Sequence, residues 1–245
     1  MTDLDPGDPL ASAAVHAIQA GDTDTLTRLL ADNPRLAGAR LGDGGGYRTL
    51  LHVATDWPGH RPNGPATVAV LVRAGADVDA RFTGGAHTER PLHWAASNDD
   101  VDVLDALLDA GADIEADGGV IGNGTPLADA VAFAQWNAAR RLVARGARPN
   151  LWQAAGLGML DTVREQCSAV PPPPAEEITA AFWLACHGGA QPTAAYLLDL
   201  GADRDWIGYD QLTPLDAARR SGAHHVVAWL ADLGGRSADQ VRGQA

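Results

Sequence analysis

Apolar positions in this chain fall at helical spacing in short stretches that come in pairs. In the cleanest stretch, Pro91-Leu92-His93-Trp94-Ala95-Ala96 opens one helix, and Leu104, Leu107 and Leu108 mark a second. The spacing predicts two short helices whose apolar sides meet neighbours. Proline suits the first helical position because that N–H has no partner in a helix anyway. The paired alanines let two helices approach closely, and a larger side chain there would overpack the contact at about 1–3 kcal/mol. Gly111 supplies the left-handed residue that ends the second helix.

The same unit recurs. Thr125-Pro126-Leu127 through Arg141-Leu142-Val143 to Gly146-Ala147 aligns with the first copy without a gap. Thr213-Pro214-Leu215-Asp216-Ala217-Ala218 through Trp229-Leu230 to Gly234 is another copy, and Gly75 and Gly201 repeat the terminating glycine. In these starts Thr is the expected helix cap. Self-similarity at this period sets the architecture before any local reading. From about Leu10 to Arg236 the chain resembles the ankyrin-repeat family. The resemblance implies an all-α fold, an ankyrin-repeat α-solenoid of about seven helix–turn–helix units with β-turn fingers. It also implies recognition of other molecules, since stacked repeats make extended binding surfaces.

The expected organisation is a disordered N-terminal tail over residues 1–9, one repeat domain over 10–236 and a polar, frayed C-terminal tail over 237–245. Two departures interrupt the pattern. Leu92 and Leu127 are 35 residues apart, but Leu127 and Leu151 only 24, which leaves no room for a full finger. The tetraproline Pro171 to Pro174 stiffens the next connection. Together they are expected to disturb the regular repeat near the middle of the chain.

Charge narrows the function. The formal net charge is −13 and all 18 basic residues are arginine. A field of that sign repels phosphate backbones, which argues against a nucleic-acid partner. Without lysine there is no Schiff base and no Walker A loop. No apolar run reaches the roughly 18 residues of a membrane span. Asp3, Asp5 and Asp8, with no basic residue among them, argue against a secretory signal. Cys167 and Cys186 read as small apolar side chains in a reducing compartment. A cytoplasmic, monomeric protein is the expectation, and the wealth of Ala, Gly and Arg suggests a bacterium with a GC-rich genome.

Chemical constellations are sparse. His52 and His93 hold the same place in two units, where the resemblance implies a structural histidine tying adjacent turns. His52 and Asp56 stand four apart, the spacing of a base oriented by a carboxylate. His87, Glu89, His93, His224 and His225 match no zinc pattern, so neither metal nor cofactor is expected. The glycine runs Gly42-Asp43-Gly44-Gly45-Gly46 and Gly118 to Gly124 read as fingers and not as phosphate cradles. Trp183 and Trp229 fall at core phases.

The remaining signal is aromatic and basic. The second unit gains about five residues, and its loop carries Trp57, His60 and Arg61 among three prolines. Arg48, Arg81, Phe82, Arg90, Phe133 and Tyr209 align with finger and first-helix positions. These nine residues are the candidate binding set for a protein partner, one bearing a basic patch to suit the acidic chain. The alternative for the rings is packing between fingers. A second reading is a small-molecule binder or acid–base enzyme in the second to fourth units, with His52, Asp56, His93 and Asp129 as candidate catalytic groups and Glu89 and His187 nearby in the pattern. A third is a structural subunit of a larger assembly.

Overall fold

The computed structural model describes residues 3–42 and 44–243. The chain divides into two compact units, Met1–Ala147 and Arg148–Ala245. The division falls within the shortened stretch between Leu127 and Leu151.

The first unit is built from helix pairs: α1 (Pro9–Ala20) with α2 (Thr23–Asp32), α3 (Leu50–Thr55) with α4 (Gly64–Arg73), α5 (Pro91–Ser97) with α6 (Val101–Asp109), and α7 (Pro126–Ala132) with α8 (Trp136–Ala144). First helices pack on first helices and second on second, giving two layers. Leu51, Leu71, Leu92, Leu104, Leu107, Leu127 and Leu142 are buried between them, as are Ala95 and Ala96. Leu108 is only half-buried. Gly111 has φ +94° directly after the α6 cap, the left-handed turn that the sequence predicts. Strands β1 (Asp3–Leu4), β2 (Arg40–Gly42) and β3 (Tyr47–Thr49) form a small sheet in that order, β1 parallel to β2 and β2 antiparallel to β3. Tyr47 bridges onward to Thr83 in the next finger.

The second unit holds α9 (Leu151–Gly156) with α10 (Leu160–Cys167), α11 (Ala175–His187) with α12 (Gln191–Asp199), α13 (Pro214–Arg220) with α14 (His224–Asp232), and a short α15 (Ala238–Arg242). Phe182, Ala185, Cys186, Leu197, Leu215 and Leu230 are central to its core. Trp183 is buried, whereas Trp229 and Cys167 only flank the core and stay half-buried.

Both expected tails are ordered where they are described. Asp3 receives Arg40 through two bonds of 2.8 and 2.9 Å, and Asp8 caps α1 by accepting from the Leu10 and Ala11 amides. At the other end, Ser237 and Gln240 form a capping box, and the Ala238 amide donates to Asp216 at 2.7 Å. A polar segment is therefore not a frayed one when its acids and hydroxyls find backbone donors. Met1, Thr2, Asp43, Gln244 and Ala245 lie outside the described residues. Among the described residues no helix is long and apolar enough to cross a membrane.

The caps vary. Thr213 accepts from the Asp216 amide, but Thr125 makes no side-chain cap bond. Where His52 and His93 begin their helices, each ring accepts from the capping residue's own N–H, Thr49 and Arg90, both at 3.2 Å. Gln153 does the same for Asn150 at the start of α9.

Candidate interaction surface

The two histidines are ties between fingers. Nδ1 of His52 accepts from Thr49, so Nε2 carries the hydrogen and donates to the Glu89 carbonyl at 3.1 Å. His93 repeats this with Arg90 and the Gly124 carbonyl at 3.1 Å. Burial drives both imidazoles down to a pKa of about 4. In the second unit Trp183 does this work: its indole N–H donates to the Leu212 carbonyl at 2.9 Å. Glu89, Gly124 and Leu212 each stand two residues before a helix-opening proline, so one bond has three makers. Replacing Trp183 by Phe keeps most of the ring and loses the donor. Thermal unfolding is expected to report a loss of about 1 kcal/mol; an unchanged midpoint would remove the bond from the account.

These bonds correct the acid–base reading. His52 and His93 are fully buried with both ring nitrogens engaged, and Asp129 is fully buried too. Asp56 does not orient His52; it ends α3 in extended backbone, and its carboxylate takes the Arg48 guanidinium at 2.5 Å. His187, also held near pKa 4 by burial, meets Ser221 Oγ at 2.6 Å. That hydroxyl donates to the Ala217 carbonyl at 2.9 Å, so Ser221 is not an activated nucleophile. Among the described residues no three His, Cys, Asp or Glu side chains converge as metal ligands, and His225 bonds the Gly189 carbonyl at 2.9 Å.

The candidate arginines are also engaged. Arg81 pairs with Asp117 at 2.5 Å and bonds Thr88 at 2.9 Å. Arg90 lies between Asp79 at 3.5 Å and Asp117 at 3.4 Å. Arg81 holds the Asp117 carboxyl below its usual range. These ion pairs and the bond from the Asp113 amide to Asp79 stitch one finger to the next. Phe82 packs between fingers, half-buried: a Cβ on Gly46 or Gly85 would come within 2.9 or 2.8 Å of its ring, and Trp94 lies 5.9 Å away by centroids.

Trp57 and Phe133 remain outside this lattice, 78% and 43% exposed. Each sits in the turn between the two helices of its pair. The Trp57 loop is pinned: the His60 amide donates to Asp100 at 2.6 Å, His60 Nε2 meets the Asn98 carbonyl at 3.1 Å, and Asn63 donates to the Gly21 carbonyl at 2.9 Å. Arg61 turns back to the Trp57 carbonyl at 3.4 Å. His60 and Arg61 thus brace the loop. One turn further along, Asp99 accepts from Asn137 and from the Ala138 amide, both at 2.7 Å. The turns carrying Trp57, Asn98–Asp100 and Phe133 therefore follow one another along a single edge of the first unit. The sequence reading missed Asn98, Asp99 and Asp100; the signal was three short polar residues between two helices, one of which, Asp99, takes the left-handed φ of +56°. In the second unit Tyr209 is 48% exposed and stands edge-on to Trp183 and Trp206, at 5.2 and 5.7 Å.

Residues 89–118 match the family model for the ankyrin repeat. Protein fem-1 homolog A of Danio rerio is 36% identical over 100 residues, which cover 38% of this chain and 14% of that protein. The matched segment contains the α5–α6 pair with His93, and the same pairing of helices recurs in both units. Residues 89–118 are thus an ankyrin repeat, and the recurrence of their helix pairing along the chain supports an ankyrin-repeat protein.

Proposed function

We propose that the chain is a cytoplasmic binding module for a protein partner, and that the turn edge of the first unit, from Trp57 to Phe133, is its contact surface. Ankyrin repeats are generally modules of protein–protein interaction. The observation that carries the surface is a largely exposed tryptophan on a loop whose backbone is held at both ends. Ordering a loop before binding lowers the entropy lost on association, and Trp is the residue most often found at the energetic centre of interfaces. Asp99 and Asp102 lie on or beside the same edge, and with a net charge of −13 the partner's matching face is basic.

The test is capture of partners from the source lysate by the parent chain and by a Trp57→Ser/Phe133→Ser variant. Both positions are exposed, so the variant's unfolding midpoint should match the parent's. A protein held by the parent and retained at least about 30-fold less well by the variant, the size of a hot-spot loss, supports the edge. Equal retention by both chains rejects it.

A further inference from the structure

A cleft of about 620 Å³ opens in the first unit between α1 and the finger carrying β2 and β3. Its volume is within the range of small-ligand sites, about 300–1,000 Å³. Ser12, His16 and Gln19 line one wall, and their spacing of four and three residues puts all three on one face of α1. Arg48 lines it from β3, while Val15, Leu41 and Phe82 supply apolar surface. None of the described lining residues is acidic, in a chain whose formal net charge is −13.

Two of these groups are held in place. The Phe82 ring is wedged by Gly46, Gly85 and Trp94. Arg48 gives Nη1 to Asp56 at 2.5 Å, which fixes the plane of a guanidinium that carries five N–H donors in all. A planar fork of that kind matches a carboxylate. The imidazole of His16 and the side-chain amide of Gln19 offer N–H donors to a second oxygen from the facing wall, while the Ser12 hydroxyl is spent on the Pro6 carbonyl at 3.2 Å. We propose that this cleft binds a carboxylate carried on an apolar stem, the oxygens meeting Arg48 and the α1 face and the stem lying against Val15, Leu41 and Phe82. That chemistry has two sources, a free organic acid or the carboxy-terminal end of a peptide. The proposal stands independently of the Trp57–Phe133 edge.

The experiment follows the side-chain and backbone NMR signals of His16, Gln19 and Gly46 in the full chain. The probes are 4-phenylbutyrate and a tripeptide ending in leucine, each beside its uncharged carboxamide. Saturable shifts with a Kd of about 1 mM or tighter, for either acid but not its amide, are expected, and whichever acid binds identifies the source. His16→Glu, on an exposed helix position, should weaken binding at least about tenfold without moving the unfolding midpoint. Asp56→Asn, which releases the Arg48 charge, should tighten it. Absence of saturable shifts with both acids overturns the proposal. So does equal binding of an amide, or parental affinity in the folded His16→Glu variant.

Discussion

Replacing Asp129 by Asn is expected to raise the stability of the first unit at pH 7.5 by about 2 kcal/mol and to bring no gain below about pH 4. Asp129 occupies the place that Trp94 holds in the preceding pair, and it is fully buried. Oδ1 accepts from the Ile121 amide at 3.1 Å, while Oδ2 has no hydrogen-bond partner. Burial first, and the nearby Glu89 carboxylate as well, lift its pKa from 3.8 to about 6, against the opposing pull of the Ile121 and Val120 amides and His87. The sign follows from proton counts. Between pH 3.8 and 6 the native chain holds a proton that the unfolded chain has lost, so stability falls as pH rises, and the whole penalty is present above pH 6. The shift corresponds to about 3 kcal/mol at 1.36 kcal/mol per unit. Burying the new amide donor offsets about 1 kcal/mol of that gain. Asparagine keeps an acceptor for Ile121 and carries no charge. Urea unfolding of both chains at pH 7.5 and pH 4 measures the difference. Equal stabilities at pH 7.5 would mean that the charge is relieved by some other route. The gain would also appear as slower hydrogen exchange at the Ile121 amide, because Asp129 clasps the enlarged Gly118–Gly124 finger.

The helix pairs and their terminating glycines were legible in the sequence because they depend on local spacing and on backbone conformations that one residue type favours. The site was less legible, because a charge is read correctly from sequence only when its partner is known. Arg81 and Arg90 look like binding residues until Asp117, 36 and 27 positions away, is found against them. His52 and Asp56 look like a dyad only if the helix continues through Asp56, and α3 ends one residue earlier. Trp183 was read as core by its phase. Its hydrogen bond to Leu212 becomes visible only when Phe182-Trp183 is laid over Leu92-His93. The α1 cleft has no signature at all in the sequence, since its walls come from Ser12, His16, Arg48 and Phe82 on three separate segments.

Acid should destabilise the chain between pH 6.5 and about 4, and a His93→Gln substitution should make that loss shallower. His52, His93 and His187 are each held near pKa 4 by burial, against an ordinary value of 6.5. Between those values the unfolded chain takes up protons that the native chain refuses. Stability therefore falls as pH drops through this window, by about 3 kcal/mol for each histidine at its full shift. Asp129 works in the opposite direction over much of the same range, one group against three. In the first unit, which holds His52, His93 and Asp129, the net loss is about 3 kcal/mol, and in the second, which holds His187, about 3 kcal/mol, a large share of the usual total of about 5–15 kcal/mol. Gln153 indicates the substitution to use, because its side-chain oxygen already accepts from the Asn150 amide at 2.9 Å as His93 does from Arg90. Glutamine at position 93 should keep that bond, and losing the reach to the Gly124 carbonyl should cost about 1–2 kcal/mol at pH 7.5. It removes one titrating ring, however, so the stability curves of parent and variant should converge near pH 5. Parallel curves from pH 7.5 to 5, measured by urea unfolding, would show that His93 takes up its proton equally easily in both states. The tie would then have to be reassigned from a neutral imidazole to a charged one.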